Sequence, residues 1–269
     1  MQQKQRNGRR LNLRQAVVVA YGGLARAWAG AWGAMVVAGA VWLIVPLAPT
    51  GAASWIAALL AAVATLTLAG ALARIAVSDG LAGARGLGLG VGGLQFGRPE
   101  LRLAGGLALC AVFLAMILSV LALVLLALFG MAELNVEAIR ARDWAAVGPA
   151  WRLALLGGLT VVLIVVFVLL VVRLSLFAPA TLGRDHMVSL NSMGVAEGSS
   201  CKLLAGLILT AAPKLALLAL IGTGLLAGEA ARVAWIIGMV AVQAPLTMGF
   251  LGAAYRQLEY WRDERPQAG

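Results

Sequence analysis

Long apolar stretches alternate along this chain with short segments that gather nearly all of its charge. Six stretches reach the roughly 20 mainly apolar residues that a helix needs to cross about 30 Å of hydrocarbon. They cover approximately 27–48, 54–76, 102–130, 151–172, 203–226 and 233–254. The expected fold class is therefore all-α, a polytopic membrane helix bundle of six transmembrane helices forming a single integral membrane domain over 1–269. Residues 1–26 read as a cytoplasmic tail and an N-terminal interfacial helix, and 255–269 as a second cytoplasmic tail.

The tail reading comes from the pattern before the first span. "RRLNLRQAVVVAYGGLARAW" places Arg10 and Arg14 four apart, then an apolar stretch interrupted by Arg26. Basic positions beside an apolar face suit a helix lying in the membrane surface, and a frayed extension of the first span is the plainer alternative. Between the third and fourth apolar stretches, on the other side of the membrane, "MAELNVEAIRARDWAAVGPAW" carries Glu133 and Glu137 near Arg140, Arg142 and Asp143 and predicts a short surface helix.

Composition reinforces the pattern. Hydrophobic residues make up 62% of the chain and charged ones 12%, against about 45–50% and about 25% in soluble domains. The net charge of +10 would indicate a nucleic-acid surface in a soluble protein, but here the basic residues lie between apolar runs, so no nucleic-acid partner is expected. Sixteen of the 21 Lys and Arg residues fall on the side of the termini, four on the other side, and Lys214 lies inside a span. The excess of basic loops marks the cytoplasmic face, so both termini are expected in the cytoplasm, in a bacterial inner membrane. Trp28, Trp32, Trp55, Trp151, Trp235 and Trp261 sit near predicted span ends, as an aromatic belt does, while Trp42 fits less well.

Candidate chemistry is sparse. Cys110 and Cys201 are too few and too far apart in sequence for a disulfide framework. The one histidine, His186, follows Arg184 and Asp185 directly, so the three point in different directions on a helix. There is no HExxH, no CxxC and no pair of carboxylates at helical spacing within a span. No catalytic residue, metal ligand or cofactor is expected. Gly88, Gly90 and Gly93 satisfy GxGxxG, but without the strand, helix and acidic residue of a dinucleotide site. The segment 80–97, with eight glycines, reads as a flexible or tightly turned loop that ends at Pro99 in a helix's first turn.

Lys214 is the exception. It lies about eleven residues from either end of its span, or roughly 16 Å, too deep for its stem to reach the surface. Pro213 leaves the carbonyl four residues upstream without its usual donor, which offers a means of solvating the lysine. Gln243 and Pro245 occupy the middle of the last span, joined to the fifth by a short turn, so Lys214 and Gln243 are expected at similar depth. Paired proline-interrupted helices with a polar centre point to a transporter's binding site; a packing irregularity is the plainer alternative. Three spans open on a basic residue followed by small ones, from Arg102, Arg152 and Lys202. Arg10, Arg14, Arg102, Arg173 and Lys202 are candidate contacts for lipid phosphates.

The loop after the fourth span carries a family resemblance. "RLSLFAPATL", with Arg173, Ser175, Leu176 and Pro179, precedes "SLNSMGVAEGSSCKLLAG", with Ser192, Gly198 and Lys202. The combination resembles bacterial six-helix inner-membrane proteins related to the membrane domain of glycerophosphoryl diester phosphodiesterases; Met193, Val195 and Ala196 depart from that family's Trp, Leu and Thr. The resemblance implies six helices and no catalytic barrel, and an interfacial segment from Asp185 to Cys201. The favoured function is a non-enzymatic accessory or scaffold protein, with membrane lipids and another membrane protein or a second copy of itself as partners. The alternative is a small-solute or lipid transporter or permease component centred on Lys214 and Gln243.

Overall fold

The computed structural model describes residues 10–132, 134–143, 146–183, 192–196 and 198–258. Every regular element among them is helical. The chain begins with α1 (Leu13–Gly22) and α2 (Leu24–Ile44), then α3 (Ala52–Val77), the short α4 (Leu81–Gly86) and the long α5 (Arg98–Met131). The short α6 (Val136–Ala141) and α7 (Ala150–Leu174) follow, then α8 (Phe177–Gly183), α9 (Ser192–Val195), α10 (Ser200–Thr210), α11 (Ala212–Gly222) and α12 (Gly228–Ile237). A π-helical turn, Gly238–Gln243, leads into α13 (Ala244–Leu258).

Five segments are long and apolar enough to cross a membrane. They contain α2, α3, α5, α7 and the α12–π–α13 run. The predicted span 203–226 is two helices of eleven residues each, bent by 47° at Ala211. Pro213, in the first turn of α11, explains the break, because a proline inside a helix removes a backbone donor and clashes with the preceding turn. The pair counts as a sixth crossing only if taken as one broken span.

Short helices form in both segments that flank apolar runs. Asn135 caps α6 by accepting from the N–H groups of Glu137 and Ala138, and Asn12 caps α1 by accepting from Gln15. The surroundings of α1 were not foreseen. Asn12 N–H donates to Gln257 Oε1 at 2.8 Å, Ala20 lies against Gly249, and Trp28 Nε1 donates to Ala241 O at 2.6 Å. Each step of eight residues along α1 and α2 matches eight residues back along α13 and the π turn. Thus α1 and the start of α2 run antiparallel to the last helix, and α1 is packed along a partner helix, its orientation set by α13.

The packed core sits at one end of the bundle. Phe250, Leu251, Ala254 and Tyr255 of α13 gather Ala16 and Ala20 of α1, Val172 of α7, Leu176, Ala180 of α8 and Leu203 of α10. A second cluster joins Ala27, Ala31, Ala34 and Ala38 of α2 to Ala64, Leu68, Ala71 and Ile75 of α3. Small residues dominate because backbones approach closely: the ring of Phe250 lies directly over Gly206, and α13 crosses α3 at Gly252 and Ala76. At the opposite end α5 and α7 leave the cluster. None of the residues in the most apolar stretch of the α5 segment is buried.

The glycine-rich segment is tightly turned, one of the two expectations for it. Gly92 and Gly93 take positive φ values of 61° and 79°, where side-chain-bearing residues are strained. A Cβ on Gly93 would stand 2.9 Å from Ala31 Cα and 3.0 Å from Ala71 Cβ. The turn therefore docks into the groove between α2 and α3, several residues back from the end of α3, beside a local departure from helical geometry at Ala31 (φ −123°, ψ 17°). Gly93 is buried in that groove, while Val91, Leu94 and Phe96 around it stay exposed.

Candidate functional site

The two prolines singled out in the sequence each free one carbonyl, and in both cases an aromatic side chain from the first two helices takes it. Pro213 has no N–H for Leu209 O, four residues upstream; the hydroxyl of Tyr21 donates to that oxygen at 3.1 Å. Pro245 has no N–H for Ala241 O; the indole of Trp28 donates to it at 2.6 Å. Tyr21 and Trp28 are two helical turns apart on the strip that runs along α13. The carbonyl expected to solvate Lys214 is thus occupied by Tyr21. Tyr21→Phe removes one such donor, and unfolding in detergent is expected to show a loss of about 1 kcal/mol.

Lys214 itself is half-buried, with Nζ 5.9 Å from the centroid of the Trp235 ring on α12. That is a cation–π arrangement. Gln243, in the last position of the π turn, donates from Nε2 to Thr247 Oγ1 at 2.8 Å, and its Oε1 is buried with no hydrogen-bond partner. Lys214 and Gln243 are on elements that pack together, but among the described residues no hydrogen bond joins them. Pro213 and Pro245 act through the backbone: one bends the fifth apolar segment, and the other follows the π turn that widens the last.

A polar centre absent from the sequence reading lies at the packed end. Arg74 and Glu100 have side chains 2% and 1% exposed and form an ion pair, Nη1 to Oε1, at 2.5 Å. Arg74 Nε also donates to Leu87 O at 2.9 Å, and Gly97 N–H donates to Glu100 Oε2 at 2.9 Å. The pair therefore ties the last turn of α3 to both arms of the glycine-rich segment and to the first turn of α5. Gly70 makes room for it: a Cβ there would stand 2.8 Å from Glu100 Oε1. Chemically this is a satisfied structural pair, with the desolvation of both charges offset by directed bonds.

The candidate lipid-phosphate residues divide. Lys202 Nζ donates to Leu11 O at 3.0 Å, and Arg173 Nε donates to Ser200 Oγ at 2.8 Å; both stitch the packed end together. Arg10 and Arg14 are exposed, and Arg102 is half-buried and engaged within the chain. His186, with Arg184 and Asp185, lies outside the described residues, as does much of the predicted interfacial segment from Asp185 to Cys201. A cavity of about 180 Å³ lies between α2, α3 and Leu94, and its walls are apolar apart from Thr67. Among the described residues no group of three or more His, Cys, Asp or Glu is placed to hold a metal ion. Scans against protein-family models, curated proteins and solved structures found no match to the chain.

Proposed function

We propose that the chain is a non-enzymatic accessory or scaffold protein of six spans, whose packed end holds α5 and α7 out as apolar surfaces for lipid or a partner membrane protein. The exposure of α5 carries this reading. Leu107, Leu109, Val112, Met116, Leu118 and Val120 are all more than 45% exposed. At 100° per residue they fall in two groups on opposite sides of the helix, and the buried Leu103, Gly106 and Cys110 mark the one stripe that packs against the bundle. A helix apolar all round needs hydrocarbon or protein on every side.

Six crossings, with the bent α10–α11 pair as one broken span, agree with the meeting of Asn12 and Gln257, because an odd number of crossings would leave the two ends of the chain on opposite faces. The packed end carries Arg10, Arg14, Arg74, Arg85, Arg98, Arg102, Arg173, Lys202 and Arg256, and the far end Arg140, Arg142, Arg152 and Arg232. By the positive-inside rule this distribution supports a cytoplasmic packed end. Purification in mild detergent tests the role. Retained lipid or a co-purifying membrane protein is expected, and a lone monomer stripped of both would contradict it.

The unpartnered Gln243 Oε1 favours a second reading, a transporter component with a polar site at Lys214 and Gln243. Against it, the carbonyls freed by Pro213 and Pro245, which a transport site uses to coordinate ions, already have donors. Lys214→Leu separates the two. The scaffold reading expects unchanged or raised thermal stability and undiminished lipid or partner retention; the transport reading expects loss of a solute-dependent shift in stability.

A further inference from the structure

A small open cavity lies where the α1–α2 elbow meets α3 and α13, and two arginines share its wall. Its lining includes Ala20, Gly23, Arg26, Leu72, Gly249 and Arg256, and its volume is about 30 Å³. Side chains on a helix lean toward the helix's own N-terminus. Because α2 and α13 run antiparallel here, Arg26 leans toward the packed end and Arg256 leans away from it, which brings both guanidinium groups to one cavity from opposite directions. The small residues Ala20, Gly23 and Gly249 leave the space open between them.

The two cations are unequally occupied. Arg256 Nη1 donates to Ser78 O at 3.3 Å and to Asp79 Oδ1 at 3.1 Å, and Asp79 is mostly exposed. Both contacts use a single nitrogen of a group with five N–H donors. Arg26 is exposed and, among the described residues, has neither a hydrogen bond nor an acidic partner. The geometry points to a binding site for the phosphate oxygens of an anionic phospholipid. Arg26 and Arg256 grip the phosphodiester from two sides, and the cavity admits about one oxygen-sized group. Free phosphate shares the anionic chemistry but gains nothing from the apolar walls.

The site rests on the reading that these helices cross a bilayer with their packed end at the basic face. Native mass spectrometry of the full chain, titrated with phosphatidylglycerol in detergent, tests it. Arg26→Gln perturbs no internal contact and is expected to weaken binding about tenfold, the loss of a charge-assisted contact. Arg85→Gln, which removes an exposed charge elsewhere, is expected to leave it unchanged. Equal affinity for parent and Arg26→Gln, or an equal loss in Arg85→Gln, would overturn the site. Displacement of the lipid by millimolar inorganic phosphate would overturn its assignment to lipid. Reconstituted liposomes washed with alkaline carbonate separate the two levels: protein that stays bound while Arg26→Gln keeps full affinity refutes the site alone, and protein that is stripped away refutes the membrane reading and the site together.

Discussion

Glu100→Ala is expected to cost about 3–5 kcal/mol of stability, the penalty for leaving a buried guanidinium without its counter-charge. Arg74 is 1% exposed and cannot turn to solvent without opening the junction of α3, α5 and the glycine-rich segment. The measurement is unfolding in detergent, followed by limited proteolysis, which should newly cut between residues 80 and 97 because Glu100 Oε2 also holds Gly97 N–H. Replacing both partners with apolar residues, Arg74→Met with Glu100→Leu, is expected to restore most of the loss, since apolar replacement of a buried pair is often neutral. If Glu100→Ala lost less than about 1 kcal/mol, the pair would not be holding the junction.

Gly252→Val is the second large effect. A Cβ at Gly252 would stand 2.8 Å from the backbone carbon and oxygen of Ala76, and backbone, unlike the tip of a side chain, cannot move aside without separating α13 from α3. Overpacking typically costs about 1–3 kcal/mol, and a clash with backbone is expected at or above the top of that range. The readout is loss of the monodisperse species in size-exclusion chromatography and a lower melting temperature. Gly39→Ala supplies the contrast: Gly39 is helical with open space around its Cα, so the change should be neutral or stabilising by up to about 1 kcal/mol.

The apolar runs announce the membrane helices because crossing hydrocarbon imposes length and composition on each segment separately. Pro213 and Pro245 are equally plain as breaks, each with a carbonyl to satisfy. The donors are not: nothing local links Tyr21 to Leu209 or Trp28 to Ala241, since both bonds depend on the antiparallel register of the first two helices against the last. The same holds for Arg74 and Glu100, two charges at the borders of apolar runs that are buried only because the glycine-rich segment folds back over them. Glycine content shows that this segment can turn tightly; only the positions of Ala31 and Ala71 show where it docks. Lys214 stands out by its charge, and its neighbour Trp235 looks from the sequence like a belt residue.

The central claim is that α5 is held in lipid by a packed end that does not cover it. Spin labels at 107, 109, 112, 116, 118 and 120, studied one at a time in liposomes, test it most directly. High accessibility to oxygen and low accessibility to a polar nickel reagent are expected at all six positions, whichever way each faces. A helical alternation, with labels on one face open to the nickel reagent, would contradict the claim and put a water-filled path along α5.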